Sequence, residues 1–253
     1  MSKCELYNDH FQNFKRYNIP KAQLVIADIP YNLGNNAYAS SNEWYVDGDM
    51  KNGESNKANK AFFDTDENFK IAEYMHFCSR LLMKEPKEAG KSPCMIVFCS
   101  FQQLSMVIEY GEKYGFMHYI PLTFIKKSSP QVLKANMKIV GASEYALVLS
   151  RDKLPKFNNY GKMVLNWMPW ETSNNYPKIH PTQKPIPLLK KLISIFTDPG
   201  DVVIDPVAGS GSTLRAAAEL NRDAYGFEIK KDFYKLAQEM MLNSFQTSFL
   251  NME

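Results

Sequence analysis

The sequence predicts an α/β fold with a largely parallel sheet, and three observations carry that prediction. Short apolar runs alternate with amphipathic stretches along the 253 residues, with no repeat period, which is the pattern of successive βα units. The run Val202-Val203-Ile204 is continuous and β-branched, as in a strand covered on both faces. It ends in Asp205-Pro206, passes Gly209 and Gly211, and restarts with helix formers from Ser212 to Leu220: strand, tight loop and helix. A hydrophobic content of 45% fills a full core, and the length suits one domain, residues 1–253, carrying insertions.

Composition bounds the function. The net charge of +3 is mildly basic and permits a nucleic-acid partner without requiring one. Cys4, Cys78, Cys94 and Cys99 form no C-x-x-C pair and no histidine stands at metal-ligand spacing, so reduced, buried thiols and no metal are expected. The N-terminal MSKCELYNDH lacks a signal-peptide core, and no apolar run approaches membrane-spanning length. The expectation is a cytoplasmic protein without a membrane partner.

In chain order, residues 1–22 are polar and aromatic and lead into a strand, Gln23-Leu24-Val25-Ile26-Ala27, that stops at Asp28-Ile29-Pro30-Tyr31. Pro30 fixes its own φ and extends Ile29, so the flanking carboxylate and ring are held in a defined geometry. Ligands of open α/β sheets bind beyond the carboxyl ends of strands, where Asp28 falls. From 32 to 68, Asn, Gly, Ser, Lys and Asp dominate, and a stretch of that length reads as a mobile, functional loop. Phe69 to Met83 reads as an amphipathic helix with Ile71, Tyr74, Met75, Cys78 and Leu82 near one face. A strand from Cys94 to Cys99, a helix from Phe101 to Tyr114, and strands from Met117 to Ile125 and Glu144 to Leu149 are expected next.

From Tyr114 to Ser143 there is no Asp or Glu, while Lys126, Lys127, Lys134 and Lys138 are all present. Such a segment tracks phosphates or is simply a solvated basic loop. Residues 151–179 read as irregular, with Trp167 and Trp170 beside Pro169 as packing or as base-stacking platforms. Then His180-Pro181-Thr182-Gln183-Lys184-Pro185 leads into a helix from Pro187 to Phe196, and Pro199-Gly200 turns into the central strand.

After that strand, Gly209 and Gly211 allow positive φ and close approach of the backbone to a ligand. Ser212 or Thr213 is placed to cap the helix that follows, whose first N–H groups attract an anion. The next strand, from Ala224 to Phe227, ends in Glu228, 19 residues beyond Gly209. An acid at about that interval accepts hydrogen bonds from ribose hydroxyls. Together these features describe a nucleoside pocket, the plainer alternative being glycines that only turn a strand into a helix. The spacing is not G-x-G-x-x-G and no Lys follows Gly211, so the dinucleotide fingerprint and the P-loop fit poorly.

Asp28-Ile29-Pro30-Tyr31 resembles the DPPY catalytic motif of amino-group DNA methyltransferases. Asp205-Pro206-Val207-Ala208-Gly209-Ser210-Gly211-Ser212-Thr213 resembles their DPFxGSGTT cofactor loop, and His180 to Pro185 is similar to the HPTQKP segment that precedes it. The order, with the catalytic motif N-terminal and the cofactor half last, is that of the β class, and the resemblance covers about residue 5 to residue 240. It implies a Rossmann-like fold with a mostly parallel sheet of about seven strands and helices on both faces. It also implies S-adenosylmethionine as cofactor, DNA as partner, and target-recognition insertions within 114–179, and it admits a restriction endonuclease partner and a homodimer. Ile29 stands where the family usually has Pro, retaining the backbone carbonyl that the family's mechanism uses, and Val207 and Ala208 replace the usual Phe and a variable residue.

By that resemblance, Asp28 and the Ile29 carbonyl take the two hydrogens of an exocyclic base amine, next to Pro30, and Tyr31 stacks on a flipped-out base. Glu228 holds the ribose diol, the methionine end lies against Asp205, Pro206, Ala208, Gly209, Ser210, Gly211, Ser212 and Thr213, and His180, Thr182 and Lys184 complete the cofactor site. Lys184 is the expected carboxylate partner, and His180 is expected to order its loop. Lys126, Lys127, Lys134 and Lys138 are the expected DNA contacts. Asp at the first motif position implies adenine N6, since cytosine-N4 members commonly carry Ser there. The alternatives are a cytosine-N4 enzyme and a catalytically weakened DNA-binding relative. Relatives acting on protein glutamine or RNA generally carry Asn there and place the cofactor loop first, contrary to this order.

Overall fold

The computed structural model describes residues 2–31, 69–127, 132–134, 139–180 and 182–243, with 132–134 described through the backbone. The expected loop at 32–68, Lys138, Pro181 and the Lys134 side chain lie outside the described residues. The strands are β1 (Cys4–Tyr7), β2 (Leu24–Asp28), β3 (Cys94–Cys99), β4 (His118–Ile125), β5 (Val132–Lys134), β6 (Ile139–Val140), β7 (Ser143–Ser150), β8 (Trp167–Pro169), β9 (Val202–Asp205) and β10 (Asp223–Phe227). The helices are α1 (Ile71–Cys78), α2 (Leu104–Lys113), α3 (Ile186–Phe196), α4 (Ser212–Glu219) and α5 (Lys231–Leu236), the last running on into a π-helical turn at Ala237–Leu242.

Eight strands form one sheet in the order β1-β10-β9-β2-β3-β7-β4-β8, and β5 pairs with β6 in a separate ribbon. All neighbours are parallel except at β7, which is antiparallel to both β3 and β4. The central pair, β2 and β9, is where the chain reverses its direction of travel across the sheet. From β2 it steps through α1 to β3, and from β9 through α4 to β10 on the other side. That reversal leaves a crevice outside the carboxyl ends of β2 and β9, the place where such sheets bind ligands.

Alternate residues of the central strands feed two cores, as the period of a strand requires. Leu24, Ile26, Cys94, Ile96, Phe98, Val203 and Ala224 pack on one face with α3 and α4, through Leu189, Leu192, Ile193, Leu214 and Ala217. Val25, Ala27, Met95, Val97, Cys99, Ile204, Tyr225 and Phe227 pack on the other with α1, through Tyr74, Met75 and Cys78, and with α2, through Val107. Each fully buried aliphatic side chain contributes roughly 1.5–3 kcal/mol. The crossover helices therefore cover both faces, and the sheet is held rigidly under the crevice. Cys78, Cys94 and Cys99 are buried and Cys4 half-buried, all as free thiols. Among the described residues, no helix is long and apolar enough to cross a membrane.

The sheet has eight strands where about seven were expected. The strands not anticipated are β1, whose residues are mostly half-exposed, and β8, three residues ending in a proline. The helix expected from Phe69 to Met83 stops at Cys78 because the chain beyond it bridges to the residue leading into β2: Ala22 N–H donates to Leu81 O (2.8 Å) and Met83 N–H to Ala22 O (2.9 Å). Neither Ser212 nor Thr213 caps α4. The N-cap is Gly211, in the left-handed region at φ 75°, and Ser212 Oγ instead lies 2.8 Å from Ser210 Oγ.

Gly226 is where β10 lets the glycine loop and α4 come close. A Cβ there would stand 2.7 Å from Leu214 Cδ1, 3.0 Å from Ala208 Cβ and 3.2 Å from Asp205 O. The Gly226→Ala variant is expected to lose about 1–3 kcal/mol of stability through overpacking, read as a lower urea midpoint. An unchanged midpoint would show that the loop relaxes freely.

Candidate active site at the carboxyl ends of the central strands

Three acids stand at or just beyond the ends of three adjacent parallel strands: Asp28 on β2, Asp205 on β9 and Glu228 after β10. The register that pairs Val25 with Ile204, and Gly226 with Asp205, brings these ends to one edge of the sheet. They feel one another: Asp28 and Glu228 both add to the upward push on the Asp205 carboxyl, which burial chiefly drives, to about 7.

On the β2 side, the turn after Asp28 is fixed by backbone and side-chain bonds. Ile29 N–H donates to Phe98 O (3.1 Å), extending the β2–β3 ladder by one residue, and the Ile29 side chain is buried in the core. Proline could not make that hydrogen bond, since it has no N–H. Pro30 O accepts from Gln103 Nε2 at 2.9 Å. Gln103 in turn is held by Ser100, whose N–H and hydroxyl reach its Oε1 at 3.0 and 3.2 Å, a reciprocal capping box at the start of the helix after β3.

Lys184 projects into this turn. Its ammonium lies 2.6 Å from Asp28 Oδ2, 3.4 Å from the Tyr31 hydroxyl and 3.8 Å from Glu144 Oε2, with only 7% of the side chain exposed. The rings of Phe98, Tyr31 and Trp170 surround it at 5.4, 5.5 and 5.7 Å from their centroids, within reach of cation–π attraction. Asp28 Oδ1, by contrast, is buried and has no hydrogen-bond partner among the described residues. Burial raises the Asp28 pKa above the usual carboxylate range, against the pull of Lys184. For Lys184, burial works downward but Asp28 and Glu144 outweigh it, and its pKa is raised.

On the β9 side, the glycine loop folds back on β10: Ala208 N–H donates to Phe227 O and Gly211 N–H to Ala208 O, both at 2.8 Å. Gly209 takes φ 50°, with open space where a side chain would stand. Asp205 Oδ1 accepts from Val207 N–H at 3.0 Å, and Thr213 also bonds to Asp205. Glu228 is buried, and its carboxylate accepts from Lys230 N–H at 2.7 Å and from Gly209 N–H. Burial raises its pKa in spite of those donors. Asn8 Nδ2 donates to Glu228 O at 2.8 Å, tying the segment after β1 to the same strand end.

The segment from His180 to Lys184 is folded by its own polar groups. Thr182 N–H donates to His180 Nδ1 at 3.3 Å, Gln183 Nε2 to Pro177 O at 3.0 Å, and Ile179 N–H to Gln183 Oε1 at 3.1 Å. The His180 ring packs on Phe233 with centroids 4.7 Å apart. Burial first, then Lys184 and Lys230, pushes the His180 pKa down to about 4, so the imidazole is neutral at pH 7. That suits a loop-ordering group.

Two of the expected site lysines are ion-paired within the protein. Lys184, expected to meet a carboxylate of the cofactor, is ion-paired to Asp28 within the protein. Lys126, expected among the DNA-facing lysines, turns inward: it is paired with Glu144 and stands 4.8 Å over the Trp170 ring. Lys127 is exposed. Gln103 and Glu144 were missed. The S-x-x-Q spacing of Ser100 and Gln103 is a readable signal, whereas nothing local marks Glu144.

A family model described as DNA methylase, of the N6/N4 type, matches residues 22–239. The DNA adenine methyltransferase YhdJ of Escherichia coli is 26% identical over 262 aligned residues, which cover 93% of this chain and 81% of that protein. The crystal structure of an M1.HpyAVI–SAM complex superposes with a TM-score of 0.64 at 23% identity, covering 93% of this chain and 98% of that one. The cytosine-N4-specific PvuII DNA methyltransferase superposes with a TM-score of 0.63 at 14% identity, covering 99% and 94%. The two solved structures share this fold.

Proposed function

The chain belongs to the N6/N4 DNA methylase family, and from that premise we propose that this DNA methyltransferase modifies the N6 amine of adenine, with S-adenosylmethionine as methyl donor and Asp28 as the principal acceptor of the amine's hydrogens. The observation that carries the reading is Asp28 Oδ1, buried and without a partner among the described residues, while Oδ2 is held by Lys184. A buried carboxylate oxygen left open at a strand end calls for a donor, and a base amine is one.

The glycine-loop side fits the cofactor. Gly209 leaves open space beside the loop, and Glu228, a buried acid just past the neighbouring strand, supplies acceptors for a ribose diol. Asp205, Pro206, Ala208, Gly209, Ser210, Gly211, Ser212 and Thr213 form the wall, with His180 and Thr182 closing one side. When bound, S-adenosylmethionine supplies an electrophilic methyl on a sulfonium.

The difficulty lies in the amine, whose lone pair is delocalised into the ring. Asp28 and the Ile29 carbonyl, accepting its two hydrogens, favour a pyramidal nitrogen and aim the lone pair. Such preorganised acceptors act where charge develops and contribute on the order of a few kcal/mol. The base reaches them only out of the duplex, and Tyr31 offers its ring as a stacking face worth roughly 1–3 kcal/mol. Asp28 at the first motif position favours adenine over cytosine. The Ile29 hydrogen bond and buried side chain favour a working turn over a decayed one. For the DNA phosphates we retain Lys127, Lys134 and Lys138 as contacts, and the reading admits a cognate restriction endonuclease and a homodimer as partners.

Incubation with methyl-labelled cofactor and DNA, followed by digestion to nucleosides, is expected to place label in N6-methyladenine. Label in N4-methylcytosine alone would reject the base assignment, and no label in DNA would support the weakened relative.

A further inference from the structure

Glu144 comes from β7, the only antiparallel strand of the main sheet among the described residues, and that reversal is what makes it relevant. Because β7 runs against β3, with Cys99 opposite Tyr145, the first residues of β7 lie at the same edge as the last residues of β2 and β3. Glu144 is therefore delivered to the Asp28 turn although 116 residues separate the two. Its carboxylate accepts from the Tyr31 hydroxyl at 2.6 Å, pairs with Lys126, and lies 3.8 Å from the Lys184 ammonium. Its side chain is 13% exposed.

The groups facing one another here come from every surrounding element: Asp28 at the end of β2 and Tyr31 beyond it, Cys99 at the end of β3, Lys126 after β4, Glu144 on β7, Lys184 before α3 and Asp205 on β9. Lys126, Glu144, Lys184 and Asp28 form a row of alternating charge. Burial works against ionisation of Glu144, yet Lys184 and Lys126 hold its pKa down to about 2. It is thus an anion at neutral pH. A surface pair of this kind would have little consequence, but this one touches both Tyr31 and the partner of Asp28.

We propose that Glu144 is a positioning residue of the methyl-acceptor site: it anchors the Tyr31 ring through its hydroxyl and holds the Lys184 ammonium against Asp28 Oδ2, with Lys126 as its own counter-charge. The inference rests on the reading of Asp28 and Tyr31 given above. In this arrangement Lys184 occupies one carboxylate oxygen of Asp28 and so leaves the other directed at the incoming amine. Phe98 and Trp170 wall in the ammonium, and Glu144 prevents it from being drawn wholly onto Asp28.

The test compares wild type with Glu144→Gln, which keeps an acceptor for Tyr31 but removes the charge, and Glu144→Ala, which removes both. Misplacement of a reacting group by about 1 Å costs on the order of 10²-fold, so Glu144→Ala is expected to lower kcat/KM by about that factor, with Glu144→Gln recovering part of it. The charge makes a further demand that a merely structural residue would not. Glu144 raises the pKa of both Asp28 and Lys184 by its field, so Glu144→Gln moves both limbs of the pH profile to lower pH. The Lys184 side-chain amine, followed by NMR in the free protein and assigned by its loss in Lys184→Met, titrates at lower pH in Glu144→Gln. Unmoved limbs and an unmoved Lys184 titration would overturn the proposal, whatever the loss of rate. A wild-type protein that transfers no methyl group would contradict the reading of function, while the Lys184 titration still decides the electrostatic role of Glu144.

Discussion

Replacing Asp28 by Ala is expected to reduce methyl transfer by about 10²–10³-fold, the usual cost of losing one preorganised group at a centre of developing charge, with cofactor affinity unchanged. The separation follows from geometry. Asp28 is on the β2 side of the crevice, whereas the glycine loop and Glu228 are on the β9–β10 side and hold each other through the Gly209 N–H. Asp28→Asn keeps the volume and one carbonyl oxygen but turns the second group into a donor, which faces the amine with like polarity. It should be nearly as impaired as Ala, which distinguishes loss of an acceptor from loss of packing. Single-turnover rates alongside equilibrium cofactor binding check both halves. An Asp28→Ala variant that transfers methyl groups at the wild-type rate would remove Asp28 from the chemistry.

The second large effect is expected at Lys184. It is the only cation at hydrogen-bonding distance from the Asp28 carboxylate among the described residues, at 2.6 Å, and its side chain is only 7% exposed. Taking away one partner of a buried pair leaves the other uncompensated, and the group then neutralises instead of remaining charged. Asp28 already has a raised pKa through burial, with Lys184 as the chief opposing influence. In Lys184→Met its pKa therefore rises further. The sign is as follows: transfer needs ionised Asp28, so activity is present above its pKa and lost as pH falls through it. The acid limb of kcat/KM accordingly moves to higher pH in Lys184→Met, activity at pH 7 falls by about 10²-fold, and part of it returns on raising the pH. Were Lys184 instead a contact for a cofactor carboxylate, as its place in the sequence suggested, the variant would weaken cofactor binding and leave the acid limb where it was.

What the sequence made legible was local. Asp28-Ile29-Pro30-Tyr31, the Gly209 to Thr213 loop and Glu228 each follow from a strand ending in a turn, and the parallel sheet brings strand ends to one edge whatever lies between them. The continuous apolar runs of β3 and of the second half of β7 were equally readable as buried strands. Contacts made across the sheet were not. α1 ends at Cys78 because Leu81 and Met83 are drawn to Ala22, a pairing that no helical periodicity reveals. The row of charge through Glu144 depends on β7 running backwards, so its members come from separate parts of the chain. Lys126, read as one of four solvent-facing lysines, belongs to that row because the acid-free stretch ends one residue before Glu144. Ile29 looked like a loss at a motif position, yet its N–H reaches Phe98 O and its side chain fills the core.

The central claim is that Asp28 and the Glu228-bearing glycine loop serve one cleft. The most direct measurement is the affinity of a bisubstrate compound in which adenine N6 is linked, in place of the transferable methyl, to the nucleoside amino acid of the cofactor. The account predicts that this compound binds more tightly than the cofactor, that Asp28→Ala weakens the compound alone, and that Glu228→Ala weakens both. A compound that binds no better than the cofactor, with an affinity indifferent to Asp28, would place the two halves in separate sites and contradict the account.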